Sequence, residues 1–170
     1  MAIRYMVPSY VIEFCEEQLA EGGLFCRGRD DGTPEEQKWG RVGEYGVKYL
    51  LGLPTTTPSE RDSDFTYNGT KYDVKTAPRI CNPLPHHIHY INEHQIGYSP
   101  DAYIFCTLNT KDIVLIISGW ISKKNFMAVC KHRPKGSIIQ RDSGPPLTLK
   151  MADYAITVSQ LRPIEEFMRP

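Results

Sequence analysis

Two short runs, residues 64–67 and 70–77, flank the dipeptide Asn68-Gly69. Asn-Gly is the strongest short signal for a β-hairpin, because both turn residues need positive φ. A two-residue loop fixes the register. Phe65 then faces Tyr72, Thr66 faces Lys71, Tyr67 faces Thr70, Asp64 faces Asp73, and Asp62 faces Lys75. One face carries Ser63, Phe65, Tyr67, Thr70, Tyr72 and Val74, which suits packing on a core. The other carries Asp62, Asp64, Thr66, Lys71, Asp73 and Lys75. Carboxylates directly across a strand pair repel by roughly 0.2–1 kcal/mol. A bound divalent cation would reverse that sign. A longer or bulged loop would shift Asp64 by one position and still leave Asp73 and Lys75 on one face. The plain alternative is a solvated polar strand face. Three features count against it. Aspartate is disfavoured inside strands, Glu44 lies on a helix just upstream, and the strands that follow are apolar enough to be buried.

The elements that position these residues are legible in outline. Ser9 is placed to cap a first helix carrying Ile12, Cys15 and Leu19, with Gly22-Gly23 as its stop. Residues 23–33 read as a glycine-rich loop. Thr33 and Glu36 form a capping-box pair, with Pro34 at the first helical position. The helix they start holds Trp39, Val42, Glu44, Val47, Leu50 and Leu51, and ends at Gly52 and Pro54. Gly40, Gly43 and Gly46 cost helix propensity, so they should allow close packing on another element. Pro78 should end the second hairpin strand. Ala102–Leu108 and Ile113–Ile117 read as strands, the latter running into Gly119-Trp120. Ser122 caps a short helix over 123–130. Residues 153–158 read as a late strand and 159–168 as a terminal helical turn.

Glu44 on a helix, Asp64 at a strand and Asp73-Val74-Lys75 on the next strand resemble the PD-(D/E)XK nuclease superfamily. The phrases Gly43-Glu44-Tyr45-Gly46-Val47 and Tyr72-Asp73-Val74-Lys75-Thr76 are similar to ones in its small phage and prokaryotic members. So are Pro100-Asp101-Ala102-Tyr103-Ile104-Phe105 and Gly119-Trp120-Ile121. The likeness covers roughly residues 35–125, and the C-terminal third loosely. Asp73 stands where Glu is more usual, which the family permits. No proline precedes Asp64, which leaves the choice between Asp64 and Asp62 open.

The resemblance implies an α/β fold of restriction-endonuclease type, with a mixed central sheet of four or five strands flanked by helices. It implies an enzyme, a Mg²⁺-dependent DNA endonuclease in which Mn²⁺ can substitute. Asp64, Asp73 and the Val74 carbonyl would ligate Mg²⁺, a hard ion that prefers oxygen. Lys75 would orient or help deprotonate the attacking water and offset charge on the phosphorane. Glu44 would bind a second ion or hold a metal-bound water. Hydrolysis would leave a 5′-phosphate. Junction-resolving or exonucleolytic variants, and a nucleic-acid-binding protein that does not cut, are the alternatives on the same scaffold. Small one-domain members often act as dimers, which makes a homodimer a candidate assembly.

Composition bounds these readings. The chain of 170 residues fits one domain over 1–170, and 41% apolar residues can fill a single core. Its formal net charge is zero, which excludes a histone-like polycation. Charge is uneven: net −4 over 1–60, −1 over 61–120 and +5 over 121–170. No Asp or Glu occurs from Ile113 to Arg141, while Lys123, Lys124, Lys131, Arg133, Lys135 and Arg141 accumulate. Such a stretch beside an acidic half is the layout expected of a protein that holds a polyanion near a carboxylate site, which the resemblance would make the DNA backbone. The plain alternative is a solvated basic surface. Five scattered cysteines without Cys-x-x-Cys point to free thiols in a reducing compartment, and no signal-peptide core or membrane span is present. The expected setting is the cytoplasm.

Cys81, His86 and His89 have the types to ligate zinc. Their spacing fits no standard zinc module, and Pro83 and Pro85 interrupt it. A loop near the substrate groove is the stronger reading, in which His94 or Gln95 touches DNA or assists the water. An exposed loop is the plain alternative. Tyr45, Tyr49, Tyr67, Tyr72 and Tyr90 could stack on bases, although packing is the commoner use of tyrosine. Neither a G-x-x-x-x-G-K loop nor a Gly-x-Ser-x-Gly elbow is present, which disfavours an ATP-driven motor.

Overall fold

The structure is a computed structural model and describes residues 3–21, 33–55, 63–140 and 145–167. The glycine-rich loop read at 23–33 falls outside these residues up to Gly32, as do Gly22, Cys26, Asp62 and Arg141.

Helix α2 (Pro34–Leu50) begins as its sequence dictates. The Thr33 hydroxyl accepts from Glu36 N–H at 3.3 Å, and the Glu36 carboxylate accepts from Thr33 N–H at 2.7 Å. Gly52 takes φ +66°, and Leu53 N–H closes on the Lys48 carbonyl at 2.9 Å. Helix α1 (Ser9–Ala20) differs from expectation. Pro8 holds the cap position and no side chain caps it, so Ser9 is simply the first helical residue.

The hairpin forms in the expected register over three pairs, but Asp64, expected opposite Asp73, instead donates its N–H to the Tyr72 carbonyl at 2.8 Å. Strands β2 (Phe65–Tyr67) and β3 (Thr70–Arg79) pair Phe65 with Tyr72, Thr66 with Lys71 and Tyr67 with Thr70. Asn68 and Gly69 take φ of 48° and 78°, as a type I′ turn requires. Pro78 does not end β3. The strand runs on to Arg79 beside β5 (Ala102–Asn109), with Pro78 opposite Leu108. Strand β2 has ended by then, so the edge facing away from β5 asks no N–H of Pro78.

Strand β3 runs parallel to β5, β5 antiparallel to β6 (Val114–Ser122), and β6 antiparallel to β1 (Ile3–Met6). The result is a five-stranded mixed sheet of order β1-β6-β5-β3-β2. All eight residues of β5 are buried, as expected of a strand covered on both faces. On one face Val74, Ile104, Leu108, Leu115 and Ile117 pack against Val42 and Val47 of α2 and Val11 and Cys15 of α1. Short helix α4 (Ile164–Phe167) adds Phe167, whose ring stands 4.8 Å from that of Tyr72.

Two of the three spaced glycines explain how close α2 lies. A Cβ on Gly43 would stand 1.8 Å from Thr76 Oγ1, and one on Gly46 would stand 2.2 Å from the Tyr5 hydroxyl. Gly40 meets nothing within 4 Å, so close packing does not account for it.

The opposite sheet face carries Tyr103, Phe105 and Ile121. It is covered by Phe126 of α3 (Lys123–Val129), Ile91 of β4 (Ile88–Asn92) and Ile156 of β10 (Asp153–Thr157). Ser122 caps α3 as its sequence implies, accepting from Asn125 N–H at 3.2 Å. Strand β10 sits between β4 and β7 (Lys131–Arg133) in a second, three-stranded antiparallel sheet. Strands β8 (Ile138–Ile139) and β9 (Leu147–Thr148) pair separately. No helix among the described residues is long and apolar enough to cross a membrane.

Candidate active site

Strand β2 is three residues long, so the backbone of β3 loses its partner just where Asp73 begins. Asp64 fills that gap. Its N–H donates to the Tyr72 carbonyl at 2.8 Å, and its carboxylate Oδ2 accepts from Val74 N–H at 2.7 Å. In an extended strand a residue's N–H and C=O point the same way, so the Val74 carbonyl lies on this edge too.

Asp73 and Lys75 pair in register with Tyr103 and Phe105, so both point to the sheet face under α3 and β4. Lys75 Nζ stands 2.9 Å from Asp73 Oδ2. That oxygen is buried, and the ammonium is its partner. The Tyr103 hydroxyl, also buried and without a hydrogen-bond partner, is on the neighbouring strand.

Charge and burial act strongly here. Burial, then the charges of Glu44 and Asp73, push the Asp64 carboxyl well above the usual range, against Lys75 and the Val74 N–H. Burial alone would lower Lys75, but Asp73 and Asp64 together outweigh it and hold its ammonium above the ordinary value. Lys75 is therefore a fixed positive charge at neutral pH.

Glu44 enters from the other side of the sheet, on α2. It is 4% exposed, with Oε2 2.6 Å from Arg41 Nη1 and Oε1 2.7 Å from Lys48 Nζ. Its charge reaches Asp64, but both of its oxygens carry a cation. The structure thus brings Asp64, Asp73, Val74 and Lys75 together and holds Glu44 beside them. Arg41 and Lys48 were missed in the sequence, although their spacing of three and four residues from Glu44 is the helical signal for such pairs.

The basic stretch divides. Lys124, Lys131 and Lys135 are exposed. Lys123 turns inward, and its ammonium donates to the carbonyls of Ile96 and Tyr98. Arg133 is not a surface cation: it makes a buried two-pronged pair with Asp153, both contacts at 2.6 Å. Register explains this, since Asp153 stands directly opposite Arg133 across β10 and β7.

The histidines scatter. His94 is exposed and Gln95 half-buried on the short 3₁₀ turn Glu93–Gln95. His87 Nδ1 accepts from Leu84 N–H at 3.1 Å, and His89 Nε2 contacts Ser118 Oγ at 3.2 Å in the interior. Among the described residues, no three His, Cys, Asp or Glu side chains gather as a metal site. Cys15, Cys81, Cys106 and Cys130 are free thiols. Tyr45 and Tyr72 are core residues, whereas Tyr49 and Tyr90 are about half exposed.

The donor set at Asp64, Asp73 and the Val74 carbonyl is all oxygen, as a hard divalent cation requires. The mutual repulsion of the two carboxylates is what such an ion would relieve. With two carboxylates rather than three gathered, water would complete the shell. No protein-family model, curated protein or solved structure matches this chain. The fold itself defines a mixed α/β protein whose central sheet bears a buried acid–amine cluster on one strand edge.

Proposed function

We propose that this protein is a Mg²⁺-dependent DNA endonuclease on a restriction-endonuclease-like scaffold. The observation that carries the reading is the buried Asp73–Lys75 pair, 2.9 Å apart, with Asp64 on the adjoining strand edge. Asp64, Asp73 and the Val74 carbonyl would hold Mg²⁺, with Mn²⁺ as a substitute. Bound there, the ion would supply a Lewis acid and a more acidic water. Lys75, kept charged by its two aspartates, offsets the negative charge that grows on phosphorus during attack. Asp64 is anchored by the Val74 N–H, which takes one of its two carboxylate oxygens. Glu44 acts through its charge on Asp64, and Arg41 and Lys48 hold it in place. The exposed Lys124, Lys131 and Lys135 would contact the DNA backbone.

A second reading has a specific observation in its favour. Glu44 is saturated by Arg41 and Lys48, which suits a scaffold that binds nucleic acid without cutting it. Incubation with supercoiled plasmid and branched DNA separates the two. The nuclease reading expects nicking or cutting with Mg²⁺ or Mn²⁺, none with EDTA, and loss in Asp73→Ala and Lys75→Ala. Equal cutting by wild type and both variants refutes the site. Binding without any cutting supports the second reading.

A further inference from the structure

The turn that follows β4 is fixed by more bonds than a surface loop needs. Ile96 N–H donates to the Glu93 carbonyl at 3.3 Å and Tyr98 N–H to that of Gln95 at 3.1 Å. The Lys123 ammonium clamps the carbonyls of Ile96 and Tyr98, while Lys123 N–H holds the Asp101 carbonyl at 2.8 Å. Asp101 in turn is tied to the start of β3: its N–H donates to the Lys71 carbonyl and its Oδ2 accepts from Lys71 N–H, both at 2.9 Å. Ile96 packs on the core beneath.

The large hydrophobic side chain this turn leaves in solvent is Tyr98, 40% exposed. Through Ile96 the turn packs on the cluster of Tyr103 and Phe105, which stand in register with Asp73 and Lys75, so it lies over the sheet face that carries both. An exposed aromatic ring on a bonded turn over the face that carries Asp73 and Lys75 is suited to be a stacking platform. It costs little side-chain entropy to use, and every base offers it a π-face. Bases inside an intact duplex have no free face, so the platform serves a nucleotide that is unpaired.

We infer that the 93–98 turn is a wall of the substrate cleft, on which Tyr98 stacks an unpaired base beside the scissile phosphate, with Lys123 as the positioning residue that holds the wall. This rests on the nuclease reading for the location of the scissile bond next to Lys75. It gives the lysine at the helix start a different task from direct backbone contact, and it names the ring on the turn, rather than His94 or Gln95, as the contact.

The test uses a short oligonucleotide carrying 2-aminopurine, single-stranded or annealed to its complement, titrated into the full chain with Ca²⁺ in place of Mg²⁺. Wild type and Tyr98→Phe should bind the single strand and quench its fluorescence, and should quench the duplex little. Tyr98→Ala should bind about tenfold more weakly and lose the quenching. Lys123→Ala should behave like Tyr98→Ala, and Lys123→Arg, whose fork can still hold two carbonyls, should recover. Should Lys123→Ala melt at room temperature, the Tyr98 pair and Lys123→Arg still decide the matter. Tyr98→Ala binding and quenching like wild type overturns the wall. Cleavage in Mg²⁺ is measured alongside. Cutting by wild type with Tyr98→Ala unaffected removes the wall and leaves the nuclease. Quenching through Tyr98 with no cutting removes the nuclease and leaves the wall in a binding protein. Neither binding nor cutting removes both.

Discussion

Asp64 uses its carboxylate to continue a strand that has run out: Oδ2 receives the Val74 N–H at 2.7 Å, in the position a longer β2 would fill with backbone. The same carboxylate stands among Glu44 and Asp73, whose charges, with burial, raise its pKa. A structural bond thus fixes an acidic group where acidity is costly. Such strain is typical of functional sites.

The first prediction follows from that cost. A carboxyl whose folded pKa is raised above its unfolded value favours folding at low pH, and that contribution is lost as pH rises through the folded value. Above the unfolded value Asp64 therefore works against the fold. Asp64→Asn keeps an acceptor for Val74 N–H and removes the charge. Its melting temperature should exceed that of wild type, by about 2–4 °C for each kcal/mol relieved. Mg²⁺ should raise the melting point of wild type and not that of the variant. A variant that melts lower, or gains equally from Mg²⁺, contradicts the assignment.

Lys75 is argued to act by charge. Lys75→Met should lower the cleavage rate by about 100-fold or more, while Lys75→Arg should retain part of it. DNA binding in Ca²⁺ should change little in either. Single-turnover rates beside binding isotherms check this, and a Lys75→Met enzyme that cuts normally would end the role.

Arg133 and the exposed lysines should separate cleanly. Breaking a buried pair leaves an uncompensated charge, so Arg133→Met should cost about 3–5 kcal/mol in urea unfolding. It should leave the salt dependence of DNA binding unaltered. Replacing Lys124, Lys131 and Lys135 together by alanine should leave stability within roughly 0.5 kcal/mol and flatten the salt slope by up to about three charges. The reverse pattern would return Arg133 to the interface.

The contact between α2 and β3 can be tested by a pair of changes. Gly43→Ala drives a methyl into Thr76 Oγ1, a buried hydroxyl without a hydrogen-bond partner. It should destabilise by about 1–3 kcal/mol, as overpacking does. Thr76→Ala opens that space, so the double variant should recover most of the loss. Additive effects of the two changes would show that the crowding lies elsewhere.

His89 supplies a pH signature. Burial, then the charges of Arg79 and His87, push its pKa down to about 3, so it is neutral when folded. Unfolded, it titrates near 6.5. Between those values the unfolded chain holds the extra proton, so stability from this group is full above pH 6.5 and falls as pH drops. His89→Gln, which keeps a partner for Ser118, should remove about one proton from the pH dependence of unfolding between pH 6.5 and 4. An unchanged slope would mean that His89 is not buried neutral.

The amino-acid sequence alone determined what is local. The capping box at Thr33 and Glu36, the Asn68-Gly69 turn, and the hairpin register are set by residues within a few positions of one another, and the structure has each of them. The two-residue period of a strand likewise puts Asp73 and Lys75 on one face. Tertiary structure decided everything that needed a partner from far along the chain. Strand β7 is basic and short, and only pairing with β10 makes it a strand and delivers Asp153 to Arg133. Lys123 points inward because the 93–98 turn offers it two carbonyls. Pro78 stays in β3 because β2 stops early and leaves one edge free. Side-chain charge and strand propensity are properties of single residues. What a charge is bonded to, and whether a strand edge is filled, depend on contacts that no local pattern contains.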